Sequence, residues 1–151
     1  MITYLKGDAT QPIGEGAKLL PHVVNDAGGW GAGYVLALSR RWKQPEAYCR
    51  QWAKQGRTIF KLGLNQYVPV ENQLVVVNMC AQHHYGEDGK PPVRYWALRS
   101  CLRDLAKEAK RVGASIHCPR FGAGLSGGSW EKIEQIINEE LPDIPVFVYD
   151  L

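Results

Sequence analysis

Two glycine-rich segments each follow an apolar run and each precede a helical pattern. The first is NDAGGWGAG, residues 25–33, and the second is RFGAGLSGG, residues 120–128. Glycine allows positive φ angles and lets a backbone approach a ligand closely. Backbone N–H groups at a helix N-terminus bind phosphate well, because the helix dipole lies behind them. The two segments therefore predict a diphosphate held between two loops. The alternative is that both are ordinary glycine-rich turns.

Three glycines of the second segment also match the dinucleotide-binding spacing GxGxxG. They are Gly122, Gly124 and Gly127, with Asp150 at the end of a later strand. In that fingerprint the helix begins within the glycines and half of a nucleotide-binding domain follows. Here the helix-capping signal comes later, at Ser129, and little chain remains for further strands. The sequence therefore argues against a Rossmann domain.

The surrounding elements must place both glycine segments after a strand and before a helix. Continuous apolar and β-branched runs, typical of a sheet covered on both faces, predict the strands. They are ITYLK (2–6), LLPHVVN (19–25), RTIFKL (57–62), LVVVNM (74–79), SIHCP (115–119) and VFVYDL (146–151). Apolar residues at helical spacing predict helices over 34–42, 45–53 and 95–112, and a last helix that is capped by Ser129 and ends before Pro142.

This alternation predicts an α/β fold, a three-layer α/β/α sandwich with a central mixed sheet of about six strands. The 151 residues are enough for one independently folding domain, residues 1–151. The segment YGEDGKPP, residues 85–92, is expected to form an exposed loop.

Composition and charge argue against several classes of protein. The net charge of +3 permits an anionic partner but does not resemble the dense basic face of a nucleic-acid binder. No apolar run reaches the ~20 residues that a membrane helix needs, and Lys6 and Asp8 interrupt any signal-peptide core. The four cysteines form no CxxC pair, which favours free thiols over a zinc or redox motif. We expect a soluble, cytoplasmic, monomeric protein without membrane contact.

The order of the short motifs resembles that of the macrodomains, α/β/α modules that bind ADP-ribose. The resemblance covers nearly the whole chain, through YLKGDAT (4–10), HVVNDAGGWGAG (22–33), KPPVRYWAL (90–98), PRFGAGLSGGSW (119–130) and VYDL (148–151). The first glycine loop and the stretch that begins at Lys90 are most similar to the branch of small deacylating and ADP-ribose-1''-phosphate-processing macrodomains.

The resemblance implies roles for both loops and for the turn after the first strand. Asp8 would accept a hydrogen bond from the adenine amino group, or alternatively serve as a loop or N-cap carboxylate. Asn25 would bind hydroxyls of the distal ribose or act as a turn asparagine. Trp30 would close over the ribose as a lid or pack as an aromatic wedge. The implied ligand-binding residues are Asp8, Ala9, Asn25, Trp30, Gly31, Ala32, Gly33, Arg120, Phe121, Gly122, Ala123, Gly124, Leu125 and Ser126.

The catalytic residues of the family are incomplete in this chain. The branch that hydrolyses with a lysine–aspartate pair would place its aspartate at Ser126 and its lysine within residues 80–83, which contain no lysine. The other hydrolytic class carries an aspartate shortly after the first glycine run, where this chain has YVLA, residues 34–37. His22 resembles a histidine of the phosphatase branch, and it is either an acid, base or phosphate ligand or a buried structural residue. The candidate catalytic residues are therefore His22 and Ser126.

Asp26 and the adjacent His83 and His84 are further candidates for acid–base chemistry. Adjacent residues of a strand point to opposite faces, so the two histidines are expected to make a poor metal pair. No metal and no other cofactor is predicted.

The resemblance implies an ADP-ribose-binding domain and leaves three activities open. In the first, the domain would hydrolyse an ADP-ribosyl derivative of an acidic side chain or nucleic-acid end. In the second, it would dephosphorylate ADP-ribose 1''-phosphate. In the third, it would bind ADP-ribose as a reader without turnover. The incomplete catalytic pairs favour the reader, whereas the small chain favours an enzyme by analogy with the family. The expected partner is ADP-ribose or an ADP-ribosylated macromolecule, and a nucleic acid only when it is ADP-ribosylated.

Overall fold

The computed structural model of the chain describes residues 2–84, 90, 92–124 and 126–151. The strands are β1 (Ile2–Lys6), β2 (Lys18–Asn25), β3 (Asn65–Glu71), β4 (Leu74–Gln82), β5 (Ser115–Cys118) and β6 (Val146–Asp150). The helices are α1 (Tyr34–Arg41), α2 (Gln44–Ala53), α3 (Tyr95–Val112) and α4 (Trp130–Glu140). Each glycine loop lies between a strand and a helix, as predicted, because β2 precedes α1 and β5 precedes α4.

The strands form one six-stranded sheet in the order β1-β6-β5-β2-β4-β3. Every neighbouring pair is parallel except β3 and β4, which are antiparallel at one edge. The predicted mixed sheet is therefore confirmed. Because parallel strands run in one direction, the carboxyl ends of β2, β4 and β5 lie at the same end of the sheet, where open α/β sheets bind their ligands.

The two central strands β2 and β5 pair only where they begin. Lys18 and Leu19 pair with residues 115–116, and the ladder goes no further. On its other side, β2 pairs with β4 from Lys18 to Asn25. The carboxyl-terminal half of β2 is therefore held by β4 alone, and a gap separates it from β5 at the start of the two glycine loops.

Helices cover both faces of the sheet, which confirms the three-layer sandwich. One apolar cluster contains buried residues of α3 and α4, and the other contains buried residues of α1 and α2. Strand β4 serves both clusters, since Val77 packs into the first and Val76 into the second. This two-sided burial explains why the strands read as continuous apolar runs.

Helix boundaries follow the end signals in the sequence closely. Helix α3 covers residues 95–112 as predicted, and Gly113 ends it in the left-handed conformation with φ 68°. Ser129 caps α4, and its side chain accepts a hydrogen bond from the N–H of Lys132.

One predicted strand is wrong. Residues 57–62 form turns, in which the N–H groups of Ile59 and Phe60 donate to the Gly56 carbonyl. The side chain of Phe60 extends from this turn into the core. The apolar residues of this segment are therefore explained by burial and do not require a strand. The missing strand is β3, whose signal is weak because Pro69 interrupts it. Proline is tolerated there because β3 is an edge strand.

Three other expectations concern the loop at 85–92, the cysteines and membrane contact. Residues 85–89 and 91 lie outside the described residues, and Lys90 is exposed. All four cysteines are buried free thiols, as expected, and burial raises the pKa of each. Within the described residues, no helix is both long and apolar enough to cross a bilayer.

A buried polar network joins β2 to β4 next to the first glycine loop. His22 Nε2 lies 2.5 Å from Asn78 Oδ1. The Asn78 amide nitrogen donates to the Pro45 carbonyl and the Gln66 side chain, so Asn78 Oδ1 is the acceptor and His22 Nε2 carries the proton. Burial lowers the pKa of His22 to about 4, so the imidazole is neutral at neutral pH.

We expect protonation of His22 to destabilise the fold, because burial strips the cation of its hydration. The folded pKa of about 4 lies below the ordinary 6.5, so the unfolded chain binds the proton more tightly. The stability contributed by neutral His22 is therefore present above the ordinary pKa and is lost as the pH falls toward the folded pKa. From about pH 7.5 to about pH 5 the loss is about 2 kcal/mol of unfolding free energy.

Urea unfolding of wild type and His22→Gln at both pH values measures this loss. The variant should lose less stability on acidification than wild type does. It should keep some acid sensitivity, because burial also lowers the pKa of His117 to about 4. An acid dependence equal to that of wild type would contradict the prediction.

Candidate ligand-binding site

A cavity of about 770 Å³ lies between the two glycine loops at the carboxyl ends of β2 and β5. Its volume is in the usual range for small-molecule sites. The lining residues are His22, Val23, Val24, Asn25, Gly29, Trp30, Gly31, Ala32, Gly33, Tyr34, Val35, Arg50, Gln82, Pro119, Arg120, Phe121, Gly122, Gly124 and Ser126. The structure thus brings most of the predicted site residues to one cavity. Sequence reasoning missed Tyr34, Arg50 and Gln82, which belong to elements outside the glycine patterns.

Asn25 holds the first glycine loop in shape. Its Oδ1 accepts hydrogen bonds from the N–H groups of Ala27 and Gly29, and its Nδ2 donates to the Gly29 carbonyl. This is the geometry of a turn asparagine, the alternative that the sequence left open. Asn25 also lines the cavity, so the same residue shapes the loop and forms part of its inner surface.

Trp30 is a wall of the cavity. Its side chain is 5% exposed, and its indole N–H donates to Ser39 Oγ at 2.7 Å. Its ring packs edge-on against His22, with 5.4 Å between ring centroids. This placement corresponds to the aromatic wedge, since a ring fixed in the core by a hydrogen bond is not arranged as a lid.

The N-terminus of α1 faces the cavity without a cap. Gly33 precedes the helix with φ 79° and ψ −145°, a conformation open to glycine, and makes no side-chain cap. The first turn contains no acidic residue. Gly33, Tyr34 and Val35 all line the cavity. The positive end of the helix dipole is therefore available to an anion.

The second glycine loop is folded on itself. The N–H of Gly128 donates to the Gly122 carbonyl, and that of Gly127 donates to the Gly124 carbonyl. A Cβ at Gly128 would lie 2.5 Å from the Gly122 oxygen, so a side chain there would collide with backbone. In contrast to α1, helix α4 is capped by Ser129 and carries Glu131 in its first turn. An anion at this loop is therefore better served by loop N–H groups than by the helix end.

Both glycine loops direct backbone N–H groups toward the cavity region. In the part of the chain that the structure describes, no hydrogen bond uses the N–H groups of residues 31–33 or 122–124. Five of these six residues line the cavity, and the sixth, Ala123, is half-buried beside it. Leu125, also predicted to bind ligand, lies outside the described residues.

Gln82 and Ser126 form a hydrogen-bonded pair across the cavity wall. The Ser126 hydroxyl donates to Gln82 Oε1 at 2.6 Å. The two residues come from β4 and the second glycine loop, the elements to which the resemblance assigns a lysine and an aspartate. The pair is a hydroxyl and an amide, so it supplies neither the amine of a lysine nor a carboxylate base.

Two buried polar atoms of the cavity wall lack partners. His22 Nδ1 and the Tyr34 hydroxyl have no hydrogen-bond partner among the described residues, and the two rings lie 5.8 Å apart. His22 Nδ1 is an acceptor because its proton is on Nε2, whereas the tyrosine hydroxyl can donate. Buried polar groups without partners are costly, so a ligand hydroxyl or water at this point would relieve them.

Arg120 is held by an ion pair and by two aromatic rings. Its guanidinium donates to both carboxylate oxygens of Asp150, at 2.8 and 3.0 Å. It lies 5.0 Å from the centroid of the Tyr4 ring and 5.5 Å from that of Trp130. The hydrogen bonds to Arg120 hold the pKa of Asp150 below its usual range. This planar, paired cation lines the cavity beside Phe121, which is buried.

Asp8 and Ala9 do not line this cavity. Asp8 Oδ1 accepts hydrogen bonds from the N–H and the hydroxyl of Thr10, which is the local turn role left open by the sequence. Ala9 is buried. Burial raises the pKa of Tyr34, and the nearby groups Cys118 and Asp8 raise it further, so the Asp8 carboxylate lies within electrostatic range of the cavity wall.

The expectation that His83 and His84 point to opposite faces is wrong. His84 has a φ of 49°, which breaks the strand alternation. The two rings instead meet edge to face, with 4.3 Å between centroids. Asp26 joins them, since its Oδ2 lies 2.7 Å from His83 Nδ1 and its Oδ1 accepts from the N–H of His84.

No family model matches the chain. A solved protein of unknown function from Bacteroides thetaiotaomicron is 52% identical with a TM-score of 0.96, over 100% of this chain and 98% of that one. A macrodomain protein from Streptomyces coelicolor is 45% identical with a TM-score of 0.87, over 100% and 99% of the two chains.

Two curated relatives are more distant and longer. The mouse chromodomain-helicase-DNA-binding protein 1-like is 29% identical over 98% of this chain and 17% of its own length. The DNA ADP-ribosyl glycohydrolase of Mycobacterium tuberculosis is 27% identical over 99% of this chain and 42% of its own length. The chain thus spans less than half of the length of these relatives. The identity to the Streptomyces protein over the whole of both chains shows the family: this chain belongs to the macrodomains.

Proposed function

We propose that this chain binds ADP-ribose, free or attached to a macromolecule, in the cavity between its two glycine loops. The observation that carries the proposal is a set of backbone N–H groups, on both loops around one cavity, that have no acceptor among the described residues. A diphosphate offers several charged oxygens close together, which matches donors arriving from two sides. The relatives support the same ligand, since one curated relative is named for an ADP-ribosyl substrate.

The charges around the cavity support an anion held by dipoles. Both arginines that line the cavity already have acidic partners, Arg50 with Glu46 and Arg120 with Asp150. The uncapped N-terminus of α1 and the loop N–H groups are then the main positive features left for a diphosphate.

The site supports binding without hydrolysis. Gln82 and Ser126 are neutral where the family's lysine–aspartate pair would lie. His22 is neutral, and its one imidazole proton lies on Nε2 in the hydrogen bond to Asn78, so its Nδ1 has no proton to donate as a general acid. We therefore propose an ADP-ribose reader, and the hydrolase and phosphatase alternatives become outcomes of a turnover assay.

Side chains introduced at Gly31 or Gly124 test the diphosphate position. Neither glycine has a positive φ, and a Cβ at either would meet nothing within 4 Å, so the fold should tolerate substitution. Gly33 is a poorer test, because any side chain there would strain its backbone at φ 79°. Wild type should bind ADP-ribose at micromolar strength, about −8 kcal/mol, and AMP much more weakly. Calorimetry measures both.

Gly31→Glu and Gly124→Glu should each abolish measurable binding, whereas the isosteric Gln variants should retain part of it. Like charges 4 Å apart at an effective dielectric of 20 repel by about 4 kcal/mol, so a screened fraction still gives a Glu-to-Gln difference above about tenfold. Thermal midpoints should stay near that of wild type. Normal ADP-ribose binding by both Glu variants would contradict the proposal that the diphosphate lies between the two glycine loops.

The variant Asp8→Asn tests the adenine contact without disturbing the turn. It keeps an oxygen for the two Thr10 bonds and replaces Oδ2, which has no bond among the described residues, by an NH₂ group. That group cannot accept from the adenine amino group, so ADP-ribose affinity should fall by about 1.5–3 kcal/mol. The purine analogue, which carries hydrogen in place of the amino group, serves as control, since variant and wild type should bind it alike. Equal losses for both ligands would contradict the adenine contact.

A turnover screen separates the reader from the enzymes. Wild-type protein should release no ADP-ribose from ADP-ribosylated protein or DNA, and no phosphate from ADP-ribose 1''-phosphate, above the uncatalysed rate. Chromatographic detection of free ADP-ribose and phosphate measures this. If wild type releases product from any of these substrates and Gly124→Glu does not, the reader proposal is contradicted and the chain is the corresponding enzyme.

A further inference from the structure

Three metal-ligating side chains meet beside the cavity at the carboxyl ends of β2 and β4. One ligand atom each from Asp26, His83 and His84 lies within 4.8 Å of the other two. The Asp26 side chain is 16% exposed and that of His83 is 35% exposed, whereas His84 is exposed, so the group is open to solvent. The site already described uses none of these side chains.

The backbone around the three residues is fixed by hydrogen bonds. The N–H of Asp26 donates to the Gln82 carbonyl, and the N–H of His84 donates to Asp26 Oδ1. The Gln82 amide donates to the His84 carbonyl at 2.8 Å. These bonds hold His84 at φ 49° and direct its imidazole to the same side as that of His83. The ligands are therefore positioned before any ion arrives.

The ring nitrogens of both histidines are available as metal ligands. Within the described part of the chain the His84 ring makes no hydrogen bond, and it meets the His83 ring edge to face. The hydrogen bond between His83 Nδ1 and Asp26 Oδ2 is 2.7 Å long, and a metal ion would replace its proton. Zn–ligand bonds of about 2.1 Å at tetrahedral angles place two ligands of one ion about 3.4 Å apart. Side-chain rotations that move the ligand atoms by about 1 Å would bring the three atoms close to that separation.

We propose that Asp26, His83 and His84 bind one divalent transition-metal ion, for which Zn²⁺ is the probe. Two imidazoles and one carboxylate are a donor set that suits Zn²⁺, Ni²⁺ and Cu²⁺, whereas Mg²⁺ and Ca²⁺ prefer oxygen ligands. Three protein ligands leave a position for water, as in open zinc sites. The four cysteines are buried elsewhere and take no part.

Calorimetry with ZnCl₂ tests the site on tag-free protein that has been treated with chelator and dialysed. Wild type should bind about one Zn²⁺ per chain at micromolar strength or better. His84→Asn removes the imidazole but tolerates the left-handed backbone, so the fold should survive. It should weaken binding by more than about tenfold, the scale found for losses around metal sites. His83→Gln should do the same, whereas Asp143→Asn, an exposed carboxylate elsewhere, should bind as wild type does.

Co²⁺ gives a second readout. Its visible absorption should report nitrogen and oxygen ligands in wild type and weaken in both histidine variants. Thiolate charge-transfer bands would instead place the ion at a cysteine and overturn the proposal. Absence of Zn²⁺ binding at millimolar concentration, or equal affinity in wild type and both histidine variants, would also overturn it. ADP-ribose binding is measured separately on the chelated protein, so failure of the metal site leaves the proposed function untouched.

Discussion

Hydrogen bonds that β2 makes on one side and lacks on the other create the site. Strand β2 is paired along its length with β4, but with β5 only at Lys18 and Leu19. If β2 and β5 were hydrogen-bonded along their whole length, the space that the two glycine loops surround would be closed. The last residues of β2 consequently do two things, since they belong to the central sheet and also line the cavity. The parallel sheet thus holds in place the two loops between which the proposed ligand would lie.

Sequence patterns predicted the parts of this arrangement that depend on local chemistry. Both glycine loops, helix α3 with its stop at Gly113, and the Ser129 cap follow from residue types and spacing within a few positions. Strand β3 was not predicted because Pro69 weakens its strand pattern. A strand was predicted instead at residues 57–62, where the apolar run resembles one. Residues 65–71 form a strand despite Pro69 because they lie at the edge of the sheet. That position is a property of the whole fold and cannot be read from the local sequence.

The finer chemistry of the site could not be predicted because it is fixed by distant partners. His84 takes a positive φ through a bond to Asp26, 58 positions earlier, and strand alternation therefore fails at that residue. Gln82 gains its place in the cavity wall from Ser126, 44 positions later. The sequence shows the absence of a lysine and an aspartate, but only the fold shows that a neutral pair joins the two elements. For Asn25 the sequence offered a ribose ligand or a turn residue, and the hydrogen bonds of the folded loop show the turn geometry.

Pro69 in the edge strand β3 also governs how the sheet meets other chains. The outer side of an edge strand offers unpaired N–H and C=O groups to which a strand from another molecule can add. Pro69 has no N–H, it is exposed, and the pairing register with β4 shifts just after it, between Pro69 and Glu71. A foreign strand would find an interrupted and kinked row of partners on β3. The residue that hides this strand in the sequence therefore also protects the folded sheet against growth by strand addition at that edge.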